Sequence, residues 1–498
     1  MAEEKPLQAQ PGAAAEQRIQ AGELDSLLTK AFKPKSDQTK EAITKAVNTL
    51  AQQALANTTL ISGKIVETIQ NMVSAIDKKL TEQINHVLHN EEFKKVESTW
   101  RGLDYLVSNT ETDQSLKLKI FNISKNELGK TIKAFKGTAW DQSPLFKKFY
   151  EEEYGTAGGE PIGCIIGDYY FDHSAPDLAI LSGVSQIAAA SHTPFITSIS
   201  PILFNIDSWQ ELANPRDLAK IFSSPEYAAW IGFRKTEDAK YIGFVMPRTL
   251  ARLPYNEKDN PVEEFSFTED TAGAVDERFV WSNAAYAMGV NINRAFKLYG
   301  WCTAIRGIEG GGMVSGLPVY TFKTDDGGVA MKCPTEIGIT DRREAELSAN
   351  GFLPLIHWKN TNYAAFMGAQ SAYMPSQYDD PDATANANLS ARLPYMFAIS
   401  RFAHYLKCMV RDKIGSFATR EDIQKYLQRW INRYVTLDPN ASQESKARYP
   451  LSAAEIKVEE DPSNPGYYKA TFYLKPHFQL EGLTVSLRLV TKLPSQKK

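Results

Sequence analysis

Two short runs constrain this chain more than anything else in it: Ile162-Gly163-Cys164-Ile165-Ile166-Gly167-Asp168 and Tyr241-Ile242-Gly243-Phe244-Val245-Met246. Each is almost continuously apolar. The first is bounded by glycine and the second is closed by Pro247. Runs of that length and texture read as buried strands, which leave no face for solvent. Helical segments alternate with them. Ser182–Ser191 is Ala-rich, and Asn283–Tyr299 carries a helical pattern. Leu116-Lys117-Leu118-Lys119-Ile120 alternates and is expected to be a further strand. The stretch from about 92 to 380 therefore reads as a mixed α/β body.

The texture changes near 380. Tyr395–Arg411 and Glu421–Val435 are expected as helices, and Thr436–Lys446 as a polar linker. Strands follow near Ala454–Glu459 and at Tyr467–Leu474, separated by a turn at Pro462–Gly466. The final regular segment is Leu483–Val490. Leu483, Val485, Leu487 and Leu489 point one way, while Thr484, Ser486 and Arg488 point the other. That period-2 pattern predicts a half-buried strand. Pattern alone leaves two options open: pairing in its own sheet, or pairing with another chain.

The other end poses the same question. Residues 1–22 are low in aromatic and bulky aliphatic residues and are expected to be disordered or nearly so. At 23–33, Leu24, Leu27, Leu28 and Phe32 form one apolar stripe on a helix of about ten residues, too short to stand alone in water. The helix is stopped by Pro34, and docks on its own domain or in a partner's groove. Residues 36–91 are dominated by helix. Ile61, Ile65, Ile69, Met72, Val73, Ile76, Leu80, Ile84 and Leu88 predict one long amphipathic helix without an obvious intrachain partner.

No run of about 18 apolar residues occurs, so no transmembrane helix is expected. The N-terminus lacks the apolar core of a secretory signal. Four cysteines in 498 residues make no disulfide framework, which is the pattern of a reducing, cytoplasmic location. A net charge of −3 argues against a generally basic nucleic-acid binder.

The candidates for chemistry each have a plainer explanation. Gly310-Gly311-Gly312 lacks the Lys-Ser/Thr of a phosphate loop, and reads as a tight turn. No G-x-S-x-G elbow accompanies Asp172-His173. His86 and His89 stand at i and i+3 with no third metal ligand, and read as solvated helix residues. Cys302 and Cys333 lack C-x-x-C partners. Glu263-Glu264 and Glu269-Asp270 read as a solvated loop rather than a general-acid pair. Arg-Leu-Pro-Tyr occurs at 252–255 and 392–395. Each proline there is expected to break a regular element and present its tyrosine to a packing surface. The residues themselves point to no catalytic, cofactor or metal site.

Several blocks, in order, resemble one family. They are Val96-Glu97-Ser98-Thr99-Trp100-Arg101-Gly102-Leu103-Asp104-Tyr105-Leu106-Val107, Gly167-Asp168-Tyr169-Tyr170-Phe171 and Pro247-Arg248-Thr249-Leu250-Ala251-Arg252-Leu253-Pro254-Tyr255. Then come Phe296–Cys302, Thr335–Glu344, Gly351–Leu355, Ser400–Lys407 and Arg411–Phe417. Each block alone is weak, but the ordered set is specific. It resembles the large sheath subunit of the bacterial type VI secretion system, the TssC/VipB family.

The resemblance implies an α/β (mixed α+β), contractile-tail-sheath-like fold, with a helical N-terminal region, a mixed body at 92–380 and a domain at 381–498 whose terminal strands are shared between subunits. It implies a structural role without enzyme activity. The implied partners are the small sheath subunit (TssB/VipA) along 36–91, further copies of the chain, an Hcp inner tube, baseplate components and a ClpV-type AAA+ ATPase. Leu24, Leu27, Leu28 and Phe32 would meet the ATPase. Leu483, Val485, Leu487 and Leu489 would lie in the inter-subunit strand. An α/β hydrolase or nucleotide-dependent enzyme is the alternative, and it lacks every motif it would need.

Overall fold

The computed structural model describes residues 65–479 apart from 215–216, 264, 272–275, 325, 417–418, 439 and 461–467, together with 38–39, 41–42 and 45. Leu24, Leu27, Leu28 and Phe32 lie outside the described residues, as do Leu483, Val485, Leu487 and Leu489. The chain divides into two compact units. One is Met1–Asn90 with Tyr255–Asp270; the other is Glu91–Pro254 with Thr271–Lys498. The fold is mixed α/β.

The larger unit contains strands β1 (Ile165–Phe171), β2 (Phe195–Ile199), β3 (Ile242–Met246), β4 (Thr249–Leu250), β5 (Trp281–Ser282) and β6 (Met313–Val314). It continues with β7 (Thr321–Lys323), β8 (Val329–Met331), β9 (Phe352–His357), β10 (Ala364–Phe366), β11 (Leu451–Glu460) and β12 (Tyr468–Pro476). The central sheet has the order β1-β2-β3-β9-β10-β6. Its first four strands run parallel, with Ile196 opposite Gly243 and Val245 opposite Leu353. β10 and β6 complete it in antiparallel fashion. Parallel neighbours need a long crossover, and helix Ala175–Ser191 provides the one from β1 to β2.

The buried runs explain why both faces are covered. Successive side chains of a strand point to opposite faces. Phe195, Phe244, Met246, Phe352 and Ile356 therefore enter one core, with Leu181 and Val184 of the crossover helix and Trp209 and Trp230. Ile196, Val245, Leu353 and Leu355 enter a second, with Met288 and Ile292 of helix Ala285–Tyr299. Each such side chain contributes about 1.5–3 kcal/mol on full burial.

The first buried strand is displaced from its expected position. β1 starts at Ile165 and runs on through the aromatic Tyr169-Tyr170-Phe171. Gly167 thus lies inside the strand. A Cβ there would sit 2.4 Å from the Phe195 ring, so the glycine permits a close approach rather than bounding the element. Leu116–Ile120 forms no strand. Its lysines turn to acids instead: Lys119 meets Glu153 at 2.7 Å and Lys117 pairs with Glu160. Ile120 stays exposed, so the alternation has no core face to satisfy.

The second Arg-Leu-Pro-Tyr also behaves differently from expectation. Pro394 sits in the first turn of helix Leu393–Arg411 and opens it rather than breaking it, because a first-turn position needs no amide hydrogen. Leu393 and Phe397 of this helix enter the second core. Phe402 and Leu406, further along, enter a third core with Trp301, Leu427, Ile431, Leu451, Ile456 and Val458. One helix therefore ties the central sheet to the β11–β12 hairpin. The expected linker at 436–446 is partly regular, since helix Gln443–Arg448 begins within it, capped by Ser442.

In the smaller unit, helix Ile65–Leu88 is amphipathic as expected. Asn85 near its end ties down the 255–270 segment: its Oδ1 accepts from the Asp270 amide at 2.8 Å. His86 is exposed, but His89 is half-buried, with Nε2 3.7 Å from Glu269. Glu269 is itself buried and accepts from the Tyr255 amide at 3.0 Å. Neither His89 nor Glu269 is the solvated residue the sequence suggests.

Candidate interaction surface

The sequence blocks converge on one another through polar pairs, most of them partly buried. Glu97, in helix Glu91–Ser108, accepts from Arg252 Nε at 2.6 Å and from Arg101 Nε at 2.7 Å. Burial works against its carboxylate, but the two guanidiniums outweigh burial and hold its pKa below the usual range. Asp168 accepts from Thr99 Oγ1 at 2.7 Å and from the Tyr286 hydroxyl at 3.1 Å. Arg248 grips Glu336 with two bonds, at 2.7 and 2.6 Å. Gly102 lets the same helix close on its neighbour: a Cβ would lie 2.4 Å from the Tyr286 ring. These pairs position elements and form no reaction centre.

The buried face of helix Glu91–Ser108 carries Gly102 and Leu106. The other face presents Phe93, Val96, Trp100 and Val107, all exposed, Trp100 by 66%. Their spacings of three, four and seven residues place them in one stripe. A contiguous apolar stripe of this kind marks an interaction surface.

At the other end, β11 and β12 form a two-stranded antiparallel ladder with Ile456 opposite Phe472 and Val458 opposite Ala470. Ala454, Ile456, Val458, Ala470, Phe472 and Leu474 pack inward on helix Arg420–Ile431. The outward face is polar, with Glu459 opposite Lys469 and Glu455 opposite Tyr473. β11's free edge is occupied by a side chain. Gln428 donates from Nε2 to the Ala454 carbonyl at 3.0 Å, and its Oε1 accepts from the Ile456 amide at 2.9 Å. β12's outer edge meets no third strand among the described residues. An edge of that kind is a template for an added strand.

The candidate catalytic groups resolve into packing. Asp172 accepts from the Ser174 amide at 2.7 Å, next to the start of the crossover helix. His173 stacks on Tyr227 at 4.6 Å between ring centres. The 310–312 glycines form a turn against the Phe366 carbonyl. Among the described residues no group of three or more His, Cys, Asp or Glu is placed to hold a metal ion, and no helix is long and apolar enough to cross a membrane.

His404, in the Ser400–Lys407 block, lies buried with Nε2 2.8 Å from the Ser191 carbonyl. Burial pushes its pKa down to about 4, although the Ser191 bond opposes this. An unfolded histidine titrates near 6.5, so the unfolded chain binds the proton first as pH falls. The contribution of neutral His404 is fully present above about pH 6.5 and is gone below about pH 4, a loss of about 3 kcal/mol. Urea unfolding across that window is expected to show the decline, and His404→Gln is expected to flatten it. An unchanged slope in the variant would assign the acid sensitivity elsewhere.

Comparison with known proteins agrees with the blocks. Residues 70–373 match the model of the EvpB/VC_A0108 tail sheath N-terminal domain, and residues 382–493 match the tail sheath gpW/gp25-like domain. The chain is 61% identical over 480 residues to the type VI secretion system sheath protein TssC1 of Pseudomonas aeruginosa strain PAO1, covering 96% of each chain. Among solved structures, it is similar to a chain of the anti-feeding prophage baseplate at 12% identity and TM-score 0.36, covering 78% of this chain and 86% of that one. A chain of the anti-feeding prophage helical sheath in its contracted state matches at 12% identity and TM-score 0.30, over 62% of this chain and 66% of that one. With its two domain matches and its close full-length relative, the chain belongs to the VipB tail sheath family.

Proposed function

We propose that this chain is the large structural subunit of a contractile type VI secretion sheath and that it acts in the bacterial cytoplasm. It pairs with the small sheath subunit, and the protomers stack helically around an Hcp tube above a baseplate. Assembly traps an extended packing of the subunits. Relaxation to a contracted packing does the work, so the free energy comes from two arrangements of the same chains. No residue is assigned a catalytic role. The observation that carries this reading is the 61% identity maintained over 96% of both chains.

The proposed division of labour follows the chain. Residues 1–22 are a tail and 23–33 the segment gripped by a ClpV-type ATPase after contraction. Residues 36–91 pair with the small subunit, 92–380 form the sheath body and 381–498 carry the connecting strands. Support for the last comes from the β12 edge, which meets no further strand among the described residues.

Electron microscopy of the chain co-expressed with its small partner tests the reading. Ordered tubules are expected, and a population of monodisperse particles alone would overturn it. For the 23–33 segment, Leu27→Asp with Leu28→Asp is expected to abolish capture of the ATPase while tubules still form. Undiminished capture would remove the segment from this role.

A further inference from the structure

The tyrosine of the second Arg-Leu-Pro-Tyr, Tyr395, is met by the residues that follow β12. The ladder itself is extended by one more bond, from the His477 amide to the Pro450 carbonyl at 3.0 Å. The chain is then pinned to the body. The Gln479 amide donates to the Tyr395 hydroxyl at 3.1 Å, and Gln479 Nε2 donates to the Thr303 carbonyl at 3.0 Å. A carbonyl only accepts, so the side-chain nitrogen is the atom that faces Thr303. Tyr395 and Thr303 are only 6% and 8% exposed. Gln479 Oε1 is buried with no partner among the described residues. A polar atom buried unpaired costs free energy, and the two anchoring bonds hold the side chain there against that cost.

Both anchor points lie where two cores meet. Thr303 stands between Trp301 of the third core and Ile305 of the second. Tyr395 follows Leu393, which enters the second core, on the helix whose Phe402 enters the third. Neither belongs to the β11–β12 hairpin. Within that hairpin Leu451, the first residue of β11, lies opposite Pro476, the last of β12. A pull on the end of β12 would therefore unzip the pair from its open end, one bond at a time.

We propose that Gln479 is the mechanical anchor of the C-terminal strand, passing tension from the strand into the two cores and sparing the hairpin. The proposal rests on the sheath reading above, in which 483–490 pairs with neighbouring protomers. Four residues separate Gln479 from Leu483, and an extended chain covers at most about 14 Å in that distance. The shared strand is thus rooted at the junction of the cores.

The test uses the full-length chain co-expressed with its small partner. Hydrogen exchange followed by mass spectrometry reads the Gln479 amide. Tyr395→Phe removes the acceptor and keeps the ring, and is expected to quicken that exchange about fivefold, the factor one hydrogen bond gives. Gln479→Glu keeps the shape of the side chain, but its carboxylate cannot donate to Thr303. It is expected to form tubules that break as they contract. Unaltered sheaths are expected to keep their number of helical turns through contraction, and Gln479→Glu sheaths to lose turns. Unchanged exchange in folded Tyr395→Phe, or Gln479→Glu sheaths that keep every turn, would overturn the proposal. So would a Gln479 amide that exchanges as fast in the unaltered chain as in the unfolded one, a comparison that needs no variant to fold. An unaltered chain that forms no tubules would overturn it through the sheath reading instead, and the exchange result tells the two failures apart.

Discussion

Glu97→Ala is expected to lower the stability of the larger unit by about 3 kcal/mol, the cost of removing one partner from a buried ion pair. The side chain of Glu97 is 10% exposed and that of Arg252 only 6%, so the charge left behind has little access to water. The pair joins helix Glu91–Ser108 to the segment after β4. It also removes one partner of Arg101, but that guanidinium is 37% exposed and regains solvent at little cost. Glu97→Gln keeps an acceptor for Arg252 and is expected to lose less. Urea unfolding of the three chains measures the series. A change below about 1 kcal/mol for the alanine variant, the size of an exposed pair, would show that the bridge is not buried in solution.

Val485→Asp with Leu487→Asp is expected to abolish long sheaths while leaving the body folded. In an alternating strand these two residues share a face with Leu483 and Leu489. Two carboxylates on an apolar face would each have to be desolvated, which is far costlier than leaving the strand unpaired. The separate third core around Trp301 and Phe402, whose rings stack at 4.1 Å, gives the β11–β12 hairpin its own support. Circular dichroism and unfolding midpoints should therefore change little, while tubule length by electron microscopy collapses. Sheaths of normal length that contract normally would show that the strand is not the connector.

Much of the fold was legible because its signals are local. The buried runs of β1 and β3 announce a covered sheet by composition alone, and helix Ile65–Leu88 announces itself by spacing. What failed was contextual. Leu116–Ile120 has a strand's alternation, but its lysines find Glu153 and Glu160, so the pattern serves ion pairing instead of a sheet. Glu269 looks like a loop acid until the Tyr255 amide is seen to reach it. The same holds for the polar framework. Glu97 and Arg252 both stand in recognisable blocks, yet 155 positions separate them and nothing local pairs them.

The most direct measurement is a cryo-electron microscopy map of tubules formed with the small subunit, resolved to individual strands. The account predicts that β11 and β12 lie in a sheet with strands from more than one protomer, with β12's outer edge covered. A map in which that sheet is built from a single chain, or in which β12's edge stays bare in both extended and contracted tubules, would contradict it.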